Sequence, residues 1–317
     1  MGNIEKFSAI ERKMLLETIR VEHPYFRKGM EKILSCLEVS KYSTEPKSLF
    51  VVGEAGTGKT ELFKAFCKLN DQVNMVEEEG EIIRKKKIIH IRLPYPASIS
   101  GIVYRMLSDL GDEFPGSGKN DNQRTERLIY FIKKCGVEMI CFDEFQNFVD
   151  RDKIKTLKAG AEWVKNLIND TNVPFVFFGT QASRSIISAN ERQLERRAEN
   201  EHTMKRYGYN NMKERKLFSQ MLNKIEELLP FDGSSDLYEP EIAERIYAAT
   251  NGLIHSIMSL ITAAGRYAID EEVDSISLKH LHRAFRNNKY LQSNIDRNPF
   301  DPEFIKKLDI ERSNEVS

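Results

Sequence analysis

Residues 53–60 constrain the fold of this chain more than any other stretch. They read Gly53-Glu54-Ala55-Gly56-Thr57-Gly58-Lys59-Thr60, which fits the pattern G-x-x-x-x-G-K-[ST]. Residues 47–52 before them predict a short buried strand, and residues 61–66 after them predict a helix. A glycine-rich turn at a helix N-terminus binds phosphate, because its backbone N–H groups and the helix dipole both favour negative charge. The sequence therefore predicts a phosphate-binding loop.

Each residue type in this loop suits one task in holding a nucleotide. Glycines let the backbone approach the phosphates closely. Lys59 is placed to reach the β and γ phosphates, and the Thr60 hydroxyl is placed to bind Mg²⁺. The predicted nucleotide-binding residues are Gly53, Glu54, Gly56, Thr57, Gly58, Lys59, Thr60 and Glu61.

A second predicted strand, residues 137–142, ends in two acidic residues, Asp143 and Glu144. In a protein that hydrolyses nucleotides, Asp143 can hold magnesium through a water, while Glu144 orients and partly deprotonates the attacking water. Many buried strands end in a solvated acidic turn. Together with the loop at residues 53–60, however, this pattern indicates hydrolysis at the γ phosphate.

Strands that alternate with amphipathic helices predict a parallel sheet with helices on both faces. The predicted strands are 47–52, 88–93, 137–142 and 173–180, and the helices around them include 10–19, 26–37, 99–110 and 154–169. Trp163 falls off the apolar side of the last of these helices. The charged stretch 77–87 is interpreted as a solvated connection. Ligands bind beyond the carboxyl ends of such strands, where the loop, Asp143, Glu144 and Thr180 are expected to converge.

Composition limits the classes of partner and compartment. Lysine and arginine number 48 against 48 acidic residues, so any contact with DNA must come from a local patch. The four cysteines lie in apolar patterns without metal-ligand spacing, which predicts buried thiols in a reducing cytosol. No stretch approaches the roughly 18 apolar residues of a membrane span, and the first residues are charged. We therefore expect a soluble cytosolic protein.

The periodic segments divide the chain into four parts. These are an N-terminal helical segment (1–44), an α/β core (45–230), an all-helical subdomain (231–290) and a polar tail (291–317). The stretch PFDGSS at 230–235 marks the last boundary of the core. Residues from Asn298 onward are expected to be flexible or partner-dependent.

From about residue 23 to residue 287, this arrangement resembles the AAA+ ATPases. Four segments are most similar to the TniB/TnsC-type regulators of DNA transposition, namely 53–60, CFDEFQ at 141–146, FGTQ at 178–181 and QLERR at 193–197. The resemblance implies a P-loop AAA+ sheet with a C-terminal helical lid, ATP and Mg²⁺ as cofactors, and slow, assembly-dependent ATP hydrolysis. It also implies a ring or helical filament on double-stranded DNA in the prokaryotic nucleoid. There the filament would link a target-selecting protein to a transposase.

The same resemblance assigns roles to individual residues. It makes Thr180 the sensor of the γ phosphate, and Arg196 or Arg197 the arginine finger that a neighbouring subunit supplies. Such a finger stabilises charge in the transition state and contributes about 10³-fold or more in rate. His255 stands where many relatives have a sensing arginine, which makes it the candidate nucleotide contact of the lid.

DNA contacts and competing functions are less constrained by the sequence. A filament needs few phosphate contacts per subunit, because repetition multiplies a weak contact. The candidates are Arg105, Lys119, Arg124 and Thr125.

The alternatives to a transposition regulator are a P-loop kinase or GTPase, an initiator or helicase loader of the same superfamily, and a nucleotide-switched scaffold ATPase that does not bind DNA. A GTPase is disfavoured because the sequence has no Asn-Lys-x-Asp motif for guanine.

Overall fold

The computed structural model describes residues 7–43, 45, 47–70, 72–78, 80–148, 154–183, 200–293, 295, 297–302 and 304, except for the side chains of 154–158. Over these residues the chain forms two compact units. The α/β unit is Pro24–Lys205, and the helical unit combines Met1–His23 with Arg206–Ser317.

Helices and strands alternate through the α/β unit, and helices make up most of the helical unit. In chain order the helices are α1 (Ala9–Thr18), α2 (Pro24–Ser40), α3 (Lys59–Asn70), α4 (Ile99–Asp109), α5 (Asp121–Lys134), α6 (Ile154–Thr171), α7 (Met212–Glu226), α8 (Pro240–Thr250), α9 (Ile254–Asp270), α10 (Leu278–Arg286) and α11 (Lys289–Gln292). The strands are β1 (Leu49–Gly53), β2 (Val73–Glu78), β3 (Glu81–Lys86), β4 (Ile88–Arg92), β5 (Met139–Asp143), β6 (Phe175–Gly179) and β7 (Asn200–Met204). None of the helices described here is long and apolar enough to cross a membrane.

Five of the described strands form a parallel sheet in the order β4-β5-β6-β1-β7. Strands β5 and β6 are buried along their whole length, as expected where helices cover both faces of a sheet. One apolar cluster lies on each face, and the clusters include Phe142 with Phe177 on one side and Phe63 with Phe178 on the other. The predicted parallel sheet flanked by helices is therefore confirmed.

Trp163 on α6 is buried, which the spacing of apolar residues along this helix does not predict. Its side chain is buried in the apolar cluster that contains Phe142, although the period placed it off the apolar side. The indole Nε1 donates a hydrogen bond to the Thr125 hydroxyl at 3.2 Å. A ring of this size reaches the core from the flank of the apolar stripe when its N–H finds a partner.

The sequence predicts a solvated connection over the charged stretch 77–87. The structure instead has an antiparallel hairpin there, formed by strands β2 and β3. Gly80 adopts the left-handed conformation at the turn, with φ of 83°. Lys85 pairs with Glu78 across the hairpin at 2.9 Å. At the base of the hairpin, the buried Lys86 ammonium lies 2.7 Å from the Asp109 carboxylate on α4. This ion pair attaches the hairpin to the α/β unit.

Helix α1 packs against α9 of the helical unit, across almost the whole sequence. Leu16 is buried there, and a Cβ atom on Gly265 would lie only 2.9 Å from its Cδ1 atom. The Arg12 guanidinium donates to the carbonyl oxygen of Pro230 at 2.8 Å and to Asp274 at 2.7 Å. The first helix is therefore an integral part of the C-terminal helical core.

The expectation that the tail is flexible or partner-dependent from Asn298 onward is wrong for residues 298–301. Phe300 is buried in the helical unit, where its ring meets Phe285 edge-on. The buried Arg245 guanidinium on α8 donates to the carbonyl oxygens of Pro299 at 2.7 Å and Asp301 at 2.8 Å. The residues around Phe300 are polar, but the buried Phe300 side chain holds residues 298–301 in the helical unit.

Leu16→Ala is expected to lower the free energy of unfolding by about 2–5 kcal/mol, because it leaves a cavity between α1 and α9. Leu15→Ala is the matched control, since Leu15 is exposed on the same helix. We expect the control to cost under about 1 kcal/mol. Urea unfolding monitored by circular dichroism measures both, and equal losses would contradict the packing of α1.

Candidate functional site

The predicted phosphate-binding loop joins the end of β1 to the start of α3. Gly56 and Gly58 adopt φ values of 82° and 93°, the left-handed region that favours glycine. Gly53 has a different constraint, because a Cβ atom there would lie 2.4 Å from the carbonyl oxygen of Met204 on β7. The glycines are therefore required by backbone conformation and by close packing, which leaves the loop curled over the N-terminus of α3.

Lys59 and Thr57 are both bonded to the loop itself. The Lys59 ammonium donates to the carbonyl oxygens of Gly53 and Glu54, each at 2.8 Å. The buried Thr57 hydroxyl donates to the same Glu54 oxygen at 2.8 Å. Burial lowers the pKa of Lys59, while the nearby carboxylates of Glu144, Asp143 and Glu54 act in the opposite direction. The carboxylates keep a partly buried cation at the loop.

Asp143 lies at the end of β5 and is buried, with 2 % of its surface exposed. One carboxylate oxygen accepts a hydrogen bond from the Glu144 backbone N–H at 2.9 Å, and the Thr60 hydroxyl also bonds to this side chain. Within the described part of the chain, the Oδ2 atom has no hydrogen-bond partner. Burial raises the pKa of Asp143, and the two hydrogen bonds lower it.

A magnesium ion fits this environment, because a buried carboxylate oxygen without a partner needs a cation or an ordered water. Thr60 and Asp143 supply hard oxygen ligands, the type that Mg²⁺ prefers. No described group of three or more His, Cys, Asp or Glu residues could hold a metal ion by itself. Mg²⁺ also keeps waters and binds through substrate phosphates, so a site with few protein ligands is typical of nucleotide-binding proteins.

Glu144 follows Asp143 in an unusual backbone conformation, with φ of 56°. The turn directs its carboxylate to two donors on different elements. The Arg92 guanidinium at the end of β4 lies 3.5 Å from Oε1, and the Gln146 side-chain amide donates a hydrogen bond to Oε2. A non-glycine residue in this region is uncommon and stores strain, which is often found at functional sites.

Gln146 also reaches Thr180, so it connects two predicted site residues. Its Oε1 atom accepts a hydrogen bond from the Thr180 backbone N–H at 3.2 Å, immediately after β6. Gln146 belongs to the CFDEFQ segment, but the sequence alone does not predict a role for it. A role could have been suspected, because it lies two residues beyond Glu144 in a turn that starts at the end of a buried strand.

Strands β5, β6 and β1 are neighbours in the sheet, so their carboxyl ends bring the predicted residues to one edge. Lys59, Asp143 and Glu144 are close enough for their charges to interact, and Thr180 is linked to Glu144 through Gln146. This edge combines a cation, a buried carboxylate and a second, partly exposed carboxylate. Such a set can bind phosphates and a metal ion and can orient a water.

The remaining predicted nucleotide contacts are not tested by this geometry. Arg196 and Arg197 lie in 184–199, outside the described residues. His255 is exposed near the start of α9 in the helical unit. Their roles stay predictions.

The four candidate DNA contacts fall into two groups. Arg105 and Lys119 are exposed, although Arg105 also donates to the backbone oxygen of Arg92 at 3.2 Å. Arg124 donates to the Ser100 hydroxyl at 2.7 Å, and the Thr125 hydroxyl donates to the backbone oxygen of Asp121 at 2.8 Å. Arg124 and Thr125 are therefore engaged within the protein, whereas Lys119 is an exposed cation.

Several solved structures are similar in fold to this chain. The Aeropyrum pernix ORC1 protein in complex with DNA has a TM-score of 0.57 and 16% identity, covering 86% of this chain and 68% of that one. The Aeropyrum pernix ORC2 protein in ADPNP-ADP complexes has a TM-score of 0.56 and 15% identity, covering 87% and 69%. A Walker-type ATPase of Pyrococcus abyssi has a TM-score of 0.53 and 14% identity, covering 96% and 79%. At these identities the similarity establishes the fold alone, which is a parallel sheet flanked by helices, with further helices in the C-terminal part of the chain.

Sequence comparison defines the family more narrowly. No curated protein is significantly similar in sequence to this chain. The sequence model of the bacterial TniB protein matches residues 16–208, which include the phosphate-binding loop, Asp143, Glu144 and Thr180. Since that match spans more than half of the 317 residues, the chain belongs to the TniB family.

Proposed function

We propose that this chain is an ATP-dependent regulator of DNA transposition. It binds and hydrolyses ATP, oligomerises on double-stranded DNA in the prokaryotic cytosol, and links target-site selection to a transposase. The observation that carries the proposal is the grouping of Lys59, Asp143 and Glu144 at one edge of the sheet in a TniB chain. ADPNP and ADP in the similar ORC2 structure support the nucleotide assignment.

In this proposal each residue at the sheet edge has one task. The loop N–H groups bind the phosphates, and Lys59 neutralises charge at the β and γ positions. Thr60 and Asp143 hold Mg²⁺, which when bound supplies charge stabilisation at the phosphates. Glu144 accepts a proton from the attacking water and orients it in line with the γ phosphate. Thr180 contacts the γ phosphate.

Hydrolysis depends on assembly because the finger comes from another subunit. Arg196 or Arg197 supplies positive charge to the transition state of a neighbour, so a monomer turns over slowly. ATP bound at one subunit then stabilises the contact with the next, and hydrolysis weakens it. Assembly on DNA thereby becomes a signal that a transposase can recognise.

Electron microscopy of the full chain with duplex DNA tests the assembly. With a slowly hydrolysed ATP analogue we expect rings or helical decoration on the DNA, and with ADP we expect bare DNA. Bare DNA in both states would contradict the proposal and favour the nucleotide-switched scaffold.

The similarity to ORC1 and ORC2 favours a second candidate, an AAA+ initiator or helicase loader. This candidate ranks second because the chain belongs to the TniB family, and its resemblance to TniB/TnsC-type proteins implies a role in transposition. Pull-down of the DNA-bound assembly with a transposase or with a replicative helicase separates the two.

Lys119→Ala is expected to weaken binding to duplex DNA and to reduce the slope of log affinity against log salt by about 1, because one phosphate contact is lost. Lys133→Ala is the matched control, since Lys133 is also exposed but lies in the last turn of α5. Fluorescence anisotropy with labelled duplex at several salt concentrations measures both slopes. An unchanged slope for Lys119→Ala would remove this residue from the interface.

A further inference from the structure

The Gln146 side chain joins the end of β5 to the end of β6. Its amide nitrogen donates to a carboxylate oxygen of Glu144, and its amide oxygen accepts from the Thr180 backbone N–H at 3.2 Å. A carboxylate only accepts hydrogen bonds and a backbone N–H only donates them, so these two partners fix the orientation of the amide. Donor and acceptor are on one rigid plane, and a displacement at one end is transmitted to the other.

Packing holds this amide against the backbone of β6. A Cβ atom on Gly179 would lie 2.9 Å from the Gln146 Oε1 atom and 2.2 Å from the Ser183 hydroxyl. The absence of a side chain at Gly179 therefore lets the amide approach the strand end. A shift of residues 179–180 has to move the amide, because close-packed atoms transmit strain.

Glu144 is sensitive to such a shift. Its backbone is strained, and its carboxylate is held by Gln146 on one side and by Arg92 on the other. A general base must lie within hydrogen-bond reach of the water that it activates, so its orientation determines the rate. Loss of one of the two donors frees the carboxylate to rotate towards the other.

We propose that Gln146 is a positioning residue that ties the orientation of the Glu144 carboxylate to the backbone at Thr180. This inference rests on the proposed ATPase function and adds a regulatory connection to it. In that function Thr180 contacts the γ phosphate. Its backbone N–H donates to the Gln146 amide oxygen and so fixes the orientation of the amide. The Glu144 carboxylate is therefore oriented to activate water when the Thr180 N–H at the end of β6 bonds to Gln146.

The test compares ATP turnover and ATP binding in the full chain with duplex DNA present. Gln146→Met keeps the length of the side chain and removes both hydrogen bonds. We expect kcat to fall by about 10- to 100-fold, because a misplacement of about 1 Å at a catalytic group costs this much. The Kd for ATP should stay within about twofold, since Gln146 is assigned no phosphate contact. Gln72→Met is the matched control, because Gln72 is exposed in the same unit.

Two further variants separate positioning from a structural role. Gln146→Glu keeps an oxygen that accepts from Thr180 and replaces the donor to Glu144, so it should also lower kcat; because its added charge also repels ATP, it is compared at saturating ATP by kcat alone. In the Glu144→Gln background, Gln146→Met should cause no further loss of turnover, because it acts through Glu144. Additive losses in the double variant, or a Kd of Gln146→Met that rises as much as its kcat falls, would overturn the proposal.

The proposed function and this inference fail in different ways. If the wild-type chain neither binds nor hydrolyses ATP on DNA, both are wrong. If the wild type hydrolyses ATP and Gln146→Met or Gln146→Glu retains full kcat, the inference alone is wrong.

Discussion

Replacing Lys59 by alanine is expected to abolish ATP binding and ATP-dependent assembly on DNA. Lys59 is the first residue of α3, and its ammonium already lies over the loop, 2.8 Å from two backbone oxygens. Loss of charge-assisted contacts to two phosphates costs about 3–4 kcal/mol, which is a factor of a few hundred in affinity. The substitution also leaves the charges of Asp143 and Glu144 without their nearby cation, which repels a polyanion further.

Titration with a fluorescent ATP analogue measures the loss directly. Lys68→Ala is the matched control, because Lys68 is exposed in the last turn of the same helix. We expect its affinity for ATP to match the wild type, since about two helical turns separate Lys68 from the loop. Normal ATP-dependent assembly of Lys59→Ala would show that the phosphates bind elsewhere.

The loop and the acidic strand end could be predicted from the sequence because their signals are local. Gly56 and Gly58 reflect the local backbone conformation of the loop, and a run of apolar residues before Asp143 reflects burial on both faces of the sheet. The convergence of strand ends then follows from the rule that a parallel sheet collects its ligands at one edge. These steps need no knowledge of which side chains meet.

The parts that sequence reasoning missed depend on contacts between distant segments. Gln146 gains its importance from a hydrogen bond to Thr180, 34 residues away. Leu16 on α1 meets Gly265, and no local period indicates that the first helix joins the last ones. Trp163 is buried because its N–H reaches Thr125, so a residue off the apolar stripe became part of the core. In each case the tertiary partner overrides the local pattern.

The two acidic residues of the site differ in their environment, which fits the different roles that we propose for them. Asp143 is almost fully buried, with one carboxylate oxygen lacking a partner among the described residues, so it is stabilised when a cation approaches. Glu144 is more exposed and has a donor on each carboxylate oxygen, so its carboxylate is held in one orientation at the edge of the site. In the proposed function, the same two-residue sequence supplies a metal ligand and a base. Adjacent acids in different environments commonly divide in this way.

Glu144→Gln is expected to keep ATP bound and to lower kcat by about 10²–10⁴-fold, the usual contribution of a general base. The amide has nearly the same shape as the carboxylate but cannot accept the proton of the attacking water. Because ATP then stays intact, the assembly should remain locked on DNA, which sedimentation with duplex DNA and ATP measures. Glu138→Gln is the matched control, since Glu138 immediately precedes the same strand and pairs only weakly with Lys87 at 3.7 Å. Unchanged turnover in Glu144→Gln would exclude Glu144 as the base, and rapid release from DNA would separate hydrolysis from disassembly.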